Sequence, residues 1–152
     1  MLKHQVSPFF LYNILDFVIL RTCNKKVGEL RWRAPVPKKP WAPQLLNAQK
    51  YGVGCPQFCN LPPFVCPTNT SEDCLTLNVW APVEPGKYPV LVFIPGGRFE
   101  QGTSGTILYD SSILVNSAKI IVVSINYRLG VLGWLYDGKG ISGNYGLMVR
   151  VH

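Results

Sequence analysis

The sequence contains few of the residues on which metal sites and acid–base catalysis usually depend. Its two histidines, His4 and His152, lie at the two ends of the 152-residue chain, and no Cys-x-x-Cys pair is present. Protein zinc sites use cysteine and histidine ligands at short spacings, so a zinc site has little support here. We predict that the chain holds no metal and no cofactor.

Charged residues are also scarce, at 15% of the chain, although the net charge is +7. Residues 1–26 contain four basic residues and one acidic residue, whereas residues 27–147 contain ten basic and seven acidic residues. More than half of the excess therefore lies in the two ends, and no basic stripe or alternation of basic and aromatic residues connects them. This distribution argues against nucleic acid as a partner.

No apolar run in the sequence is long enough to cross a bilayer as a helix. Residues 9–20 are mostly apolar but are interrupted by Asn13 and Asp16, and a spanning helix needs about 20 residues. With Lys3 as a basic start, this run has some features of a signal-peptide core. The residues after Leu20 form a poor cleavage site, so whether the run is a signal peptide stays open.

Five cysteines lie at positions 23, 55, 59, 66 and 74. Four of them fall within residues 55–74, a density typical of disulfide-closed loops in an oxidising compartment. Unpaired buried thiols are the alternative. The cysteine usage favours a protein of the secretory pathway and leaves the pairing open.

The order of predicted elements indicates an α/β fold. Proline-rich loops occupy residues 34–70, alternating residues at 75–80 predict a half-buried strand, and the continuous apolar run at 89–94 predicts a fully buried strand. A short helix capped by Ser111 or Ser112 extends through Asn116, and a β-branched run at 120–125 predicts another buried strand. Strand, glycine loop, helix and strand in this order predict a sheet with covered faces.

Several ordered blocks resemble the type-B carboxylesterase and cholinesterase family of α/β-hydrolases. The most specific is SEDCLTLNVWAP at residues 71–82, which is similar to the second signature of that family. Four further blocks agree in the required order: GELRWRAP at 28–35, CPQ at 55–57, NYRLG at 126–130 and GNYGL at 143–147. The resemblance predicts that residues 27–147 are the N-terminal part of the family domain, flanked by segments 1–26 and 148–152 that do not resemble it. The predicted fold is therefore an incomplete α/β-hydrolase sheet with long loops rich in proline and glycine.

The resemblance also implies several site residues. It implies a disulfide between Cys55 and Cys74 that closes a loop at the mouth of the active site. Cys59 and Cys66 could close a smaller loop inside it, although no family rule requires that pair. It further implies an ion pair between Arg31 and Glu72, for which the alternative is two solvated charges of little energetic weight.

The family's oxyanion loop corresponds to residues 95–99, PGGRF. Gly96, Gly97 and Arg98 are the predicted oxyanion-hole residues, with the amides of Gly97 and Arg98 as donors. The alternative is an ordinary glycine turn between a strand and a loop. Arg98 departs from the family pattern, which has glycine or alanine there, and Pro95 replaces the histidine or tyrosine that often precedes the glycines.

The catalytic triad implied by the resemblance is absent from this sequence. Gly-Thr-Ser-Gly at 102–105 and Gly-Ile-Ser-Gly at 140–143 lack the final glycine of the nucleophile motif, and neither His4 nor His152 falls inside the matching blocks. We therefore assign no catalytic residues and predict a truncated carboxylesterase-like protein that is inactive alone. Complete relatives hydrolyse carboxylic esters by Ser–His–acid acyl transfer.

The sequence also leads to expectations about partners. An ester substrate is expected only if a C-terminal half completes the site, and the edge of the half sheet is expected to favour aggregation. The alternative function is a non-catalytic adhesion, scaffold or storage protein of the same family.

Overall fold

The computed structural model describes residues 14–21, 28–36, 48 and 50–149. A four-stranded mixed sheet organises this part of the chain, with the strand order β1-β2-β4-β3. The strands are β1 (Ile14–Arg21), β2 (Thr76–Pro82), β3 (Val90–Phe93) and β4 (Ile121–Ile125), and the helices are α1 (Ser112–Ala118), α2 (Gly130–Trp134) and α3 (Tyr145–Met148). A single 3₁₀ turn spans Ile107–Tyr109. The predicted α/β class is confirmed.

Strand pairing brings the alternate residues of β2 and β4 to one covered face of the sheet. The two strands are antiparallel, with Asn78 opposite Ser124 and Trp80 opposite Val122. These residues are buried, whereas the alternate residues between them are half-buried. The fully buried Val115 of α1 packs in one cluster with Trp80 and Val122. Helix α1 therefore lies over this face, as the sequence order predicts.

The run at 89–94 forms the predicted strand, but the prediction that this strand is fully buried was wrong. Strand β3 forms at Val90–Phe93 and pairs in parallel with β4. However, Val90, Leu91 and Val92 are 59%, 43% and 59% exposed. Among the strands that the structure describes, β3 is the last in the order and has a neighbour on one side only, which leaves its side chains less covered.

Helix α1 forms close to the prediction but with a different cap. Ser111 occupies the N-cap position without a side-chain capping bond. The Asp110 carboxylate instead accepts a hydrogen bond from the Ser112 N–H at 2.9 Å. The helix also extends two residues beyond the predicted end, to Ala118, and is closed by Lys119 in a left-handed conformation.

Strand β1 was not predicted from the sequence. It pairs antiparallel with β2, from Ile14 opposite Pro82 to Arg21 opposite Thr76. Part of the signal-like run at 9–20 thus belongs to this strand, and the rest of that run lies outside the described residues. Cys23, His4 and His152 also lie outside them. Among the residues that are described, no helix is long and apolar enough to cross a membrane.

The side chain of Asn126, directly after β4, joins three loops in the interior. Its Nδ2 donates to the carbonyl oxygens of Val53 and Cys74, both at 3.1 Å. Its Oδ1 accepts hydrogen bonds from the N–H of Ser104 at 2.8 Å and from the hydroxyls of Thr103 and Ser104. Buried backbone groups need such partners because water does not reach them.

Asn78 of β2 extends this polar network across the covered face. Its Nδ2 donates to the carbonyl of Ser104 at 3.0 Å and to the hydroxyl of Ser124 at 2.9 Å. The network ties the loop at 103–104 to the middle of the sheet. This loop directly follows the glycine-rich segment that the sequence singles out.

We predict that exposed β3 is the main route of self-association. Val92→Lys places a charge on the edge strand and should keep the chain monomeric at concentrations where the parent chain associates. Because Val92 is exposed, the free energy of unfolding should change by less than about 0.5 kcal/mol. Sedimentation velocity measures the association. Val131→Lys is the control, because Val131 of α2 is about as exposed as Val92. Equal suppression of association by both variants would point to net charge instead of the strand edge.

We also predict that Asn126→Ala destabilises the fold by about 3–5 kcal/mol, because it leaves several buried backbone groups without partners. Urea unfolding monitored by tryptophan fluorescence gives this value. Asn116→Ala, on α1 and outside the network, should change the free energy of unfolding by less than about 0.5 kcal/mol. A loss below about 1 kcal/mol for Asn126→Ala would show that water replaces the amide.

Candidate functional site

The segment directly after β3, residues 95–102, forms a tight loop that we call the glycine loop. The N–H groups of Glu100 and Gln101 both donate to the carbonyl oxygen of Gly97 at 3.1 Å. Gly97 has φ +144°, and a Cβ there would lie 1.8 Å from the carbonyl oxygen of Gln101. Only glycine fits this position, since any side chain would collide with backbone.

The two residues after Gly97 also have left-handed backbone. Arg98 has φ 57° and Phe99 has φ 67°, and each such residue costs roughly 1–2 kcal/mol. The Arg98 side chain is 84% exposed and lies 3.6 Å from the Glu100 carboxylate, a surface pair of little energetic weight. The N–H groups of Gly97 and Arg98 have no hydrogen-bond acceptor among the described residues.

Two hydrogen bonds and one ring contact from the segment after β4 hold the glycine loop. The buried hydroxyl of Tyr127 donates to the Pro95 carbonyl oxygen at 3.0 Å. The Gly130 N–H donates to the Phe99 carbonyl oxygen at 2.8 Å, and the Phe99 ring contacts Trp134 edge-on with ring centroids 4.8 Å apart. Residues that follow β4 therefore hold the loop that contains the Gly97 and Arg98 N–H groups.

Two disulfides cross-link residues 55–74, which we call the disulfide loop. The structure joins Cys55 to Cys74, the pair that the resemblance implies, and Cys59 to Cys66, the pair that it left open. Cys55 and Cys74 are buried in one core cluster with Tyr127. The base of the disulfide loop and an anchor of the glycine loop thus share the same core.

The implied ion pair between Arg31 and Glu72 is present as a bidentate contact. The Arg31 Nε donates to Glu72 Oε2 at 3.0 Å, and a second guanidinium nitrogen donates to Oε1. The hydrogen bond to Glu72 raises the pKa of Arg31 above its usual value. The stabilisation that comes from the charged Arg31 is present below the ordinary guanidinium range and is lost only as the pH rises through the raised pKa.

Arg128 attaches the same N-terminal segment to the residues after β4. Its guanidinium donates to the carbonyl oxygens of Arg33 at 2.7 Å and Leu30 at 3.2 Å. The indole of Trp32 donates to the Val131 carbonyl oxygen at 3.1 Å. These contacts bring the sequence blocks at 28–35, 71–82 and 126–130 together at one end of the sheet.

An open groove of about 490 Å³ lies between the disulfide loop and the glycine loop. Its volume falls within the range of small-molecule sites. Its lining combines apolar residues with polar and charged ones, among them Pro56, Phe58, Val131, Gln57, Arg98 and Glu100.

The two serines in sequences close to the nucleophile motif lack the environment of a nucleophile. Ser104 is buried, and its hydroxyl donates to Asn126 Oδ1 at 3.0 Å. Ser142 is exposed, and its hydroxyl lies 3.2 Å from the Tyr145 hydroxyl. No histidine is among the described residues, and none of them form a cluster of His, Cys, Asp or Glu that could hold a metal.

The loop before Ser142 is organised by Asp137. Its carboxylate accepts hydrogen bonds from the N–H groups of Lys139, Gly140 and Ile141 at 2.8–3.0 Å. These bonds hold the pKa of Asp137 below its usual value. These hydrogen bonds stabilise the fold at pH values above the ordinary carboxyl pKa, and this stabilisation is lost as the pH falls through the lowered pKa of Asp137. The loop is thus a closed turn, unlike an exposed nucleophile elbow.

Sequence reasoning missed the side chains that support the glycine loop. Asn126, Tyr127 and Gln57 lie within the blocks that carry the family resemblance, but the resemblance gave no role to any of them. The only available signal was their place in those blocks.

We predict that the two disulfides contribute unequally to stability. Removing the bridge between Cys55 and Cys74, which spans 19 residues, by Cys→Ala substitution at both positions should cost about 3 kcal/mol in the chain-entropy model. The same change at Cys59 and Cys66, which span 7 residues, should cost about 2 kcal/mol. Urea unfolding without reductant measures both, and a larger loss at Cys59 and Cys66 would contradict the assignment of the core bridge.

Comparisons with known proteins identify the family. The chain is 48% identical over 129 residues to the Crystal protein of Dictyostelium discoideum, covering 82% of this chain and 23% of that protein. It is 42% identical over 145 residues to the Cholinesterase of Mus musculus, covering 88% of this chain and 24% of that protein. It is 41% identical over 134 residues to the Para-nitrobenzyl esterase of Bacillus subtilis (strain 168), covering 80% of this chain and 26% of that protein.

The chain therefore spans about a quarter of the length of the curated relatives it matches. The model of the Carboxylesterase family matches residues 23–149, most of the chain. The boundaries drawn from the sequence at residues 27 and 147 stay predictions. The chain belongs to the carboxylesterase family.

Proposed function

We propose that the glycine loop is the oxyanion loop of a carboxylic ester hydrolase. The observation that carries this proposal is that the N–H groups of Gly97 and Arg98 have no acceptor among the described residues, in a loop that is hydrogen-bonded at Pro95, Gly97 and Phe99. When a nucleophile attacks an ester, the carbonyl oxygen becomes negatively charged. Donors already fixed in place stabilise that charge without reorganising, and one such donor contributes about 10²- to 10³-fold in kcat.

The proposal assigns this chain the oxyanion donors and no other part of the reaction. Acyl transfer also needs a serine activated by a histidine, which is in turn oriented by an acid. In the part of the chain that the structure describes, neither Ser104 nor Ser142 has a histidine neighbour, and the sequence has histidine only at positions 4 and 152. We therefore propose that the 152 residues alone do not hydrolyse esters.

We further propose that the missing groups come from a C-terminal part of a carboxylesterase that adds beside β3. The exposed apolar side chains of Val90 and Val92 support this, since an unpaired apolar edge strand is suited to extend a sheet. The open groove between the two loops would then hold the ester. The two disulfides support a location in the secretory pathway, where such bonds persist.

A chimera tests the proposal. This chain replaces the matched segment of the Bacillus subtilis esterase, and hydrolysis of a para-nitrobenzyl ester is measured. We expect the chimera to turn over the ester and the 152-residue chain alone to show only the buffer rate. In the chimera, Gly97→Ala forces the loop apart and should lower kcat by about 10²-fold or more. Arg98→Gly keeps the N–H and removes the backbone strain, so activity should be retained.

Gly138→Ala is the matched control for Gly97→Ala. Gly138 also has positive φ, at +72°, but a Cβ there meets nothing within 4 Å. Its kcat should stay near that of the unsubstituted chimera. Hydrolysis by the isolated chain, or a folded chimera without activity, would contradict the proposal.

A further inference from the structure

The position of the glycine loop depends on its last residue, Gly102. Gly102 is buried with φ +107°, and a Cβ there would lie 2.5 Å from the carbonyl oxygen of Gly96. A Cβ at Gly97 would likewise collide with the Gln101 carbonyl oxygen. The backbone of Gly102 is therefore packed closely against Gly96, and its chain neighbour Gln101 closes the turn on Gly97 through its N–H group.

The side chain of Gln57 binds Gly102 as a second backbone strand would. Its Nε2 donates to the Gly102 carbonyl oxygen at 2.9 Å, and its Oε1 accepts from the Gly102 N–H at 2.7 Å. The same Nε2 also donates to the Cys55 carbonyl oxygen at 2.9 Å. The Gln57 side chain is half-buried, and its amide pairs with both the N–H and the carbonyl oxygen of Gly102.

The location of Gln57 connects this contact to the disulfide loop. Gln57 lies two residues after Cys55, whose bridge to Cys74 fixes the base of that loop in the core. A second hydrogen bond between the two loops runs from the Asn60 N–H to Gln101 Oε1 at 3.0 Å and is exposed. Gln57 therefore makes two hydrogen bonds to one buried residue of the glycine loop, whereas Gln101 makes a single exposed hydrogen bond.

We propose that Gln57 is a positioning residue that sets the geometry of the Gly97 and Arg98 N–H donors through Gly102. The inference rests on the proposed function of the glycine loop. Tyr127 fixes the entry of the loop at Pro95, Gly130 holds its middle at Phe99, and Gln57 fixes its exit. The disulfide loop thus takes part in catalysis by holding a donor loop, in addition to forming a wall of the groove.

Amide hydrogen exchange and chemical shifts of the ¹⁵N-labelled 152-residue chain test the proposal. In Gln57→Leu, exchange of the Glu100 and Gln101 N–H groups, which close the turn on Gly97, should become about tenfold faster. The Gly97 and Arg98 resonances should shift together with them. A change confined to Gly102 would overturn the proposal, because Gln57 would then be a local structural contact only.

A second variant keeps the test decisive if Gln57→Leu does not fold. In Gln57→Glu, an ionised carboxylate still accepts from the Gly102 N–H but faces the carbonyl oxygens of Gly102 and Cys55 without a proton to donate. Protonation restores the donor. Loop exchange, corrected for its intrinsic pH dependence, should therefore slow as the pH falls through the carboxyl range, and the Gly97 and Arg98 shifts should return toward those of the parent chain.

Gln101→Glu is the matched control. It adds the same charge to the glycine loop but needs only an acceptor for the Asn60 N–H, which a carboxyl provides in both protonation states. Its loop exchange should follow the parent chain at every pH. The same pH response in Gln101→Glu and Gln57→Glu would overturn the proposal. These readouts do not involve ester hydrolysis, so they fail independently of the chimera experiment.

Discussion

The buried amide of Asn126 is the interaction on which the arrangement of the candidate site depends most. Irregular loops carry backbone groups that cannot be buried without partners. Asn126 supplies those partners to Val53, two residues before the disulfide loop, to Cys74 at the end of that loop and to Ser104 after the glycine loop. Segments next to both loops are therefore supported from the same point at the end of β4.

The glycine loop keeps an unfavourable backbone because its surroundings determine it at several points. Arg98 and Phe99 both have positive φ, which a free loop would relax. The contacts of Tyr127 at one end and Gln57 at the other leave no room for that relaxation. Strain held in this way is typical of sites where backbone groups must point at a ligand. Arginine at position 98 raises the energy of the loop relative to glycine without removing an N–H donor.

Local pattern was sufficient to predict part of this fold. Alternation and β-branched runs located β2 and β4 within one or two residues, because these strands pair with neighbours on both sides. The same reasoning failed for the burial of β3, since the run at 89–94 is equally apolar whether or not another strand covers it. The support of the glycine loop could not be predicted either. Gln57 contacts a residue 45 positions away and Asn126 one 73 positions away, and no periodicity encodes such contacts.

The element that we propose for this chain, an oxyanion loop, is one that backbone conformation alone can build. Oxyanion donors are N–H groups, so glycine positions and anchoring contacts specify them, whereas a nucleophile and a base need particular side chains. The glycine loop begins at the carboxyl end of β3, and ligands of open α/β sheets bind at the carboxyl ends of their strands. A strand added parallel to the free edge of β3 would end beside Gly97 and Arg98. In the complete site that we propose, the end of that strand is the position from which a serine would approach the two donors.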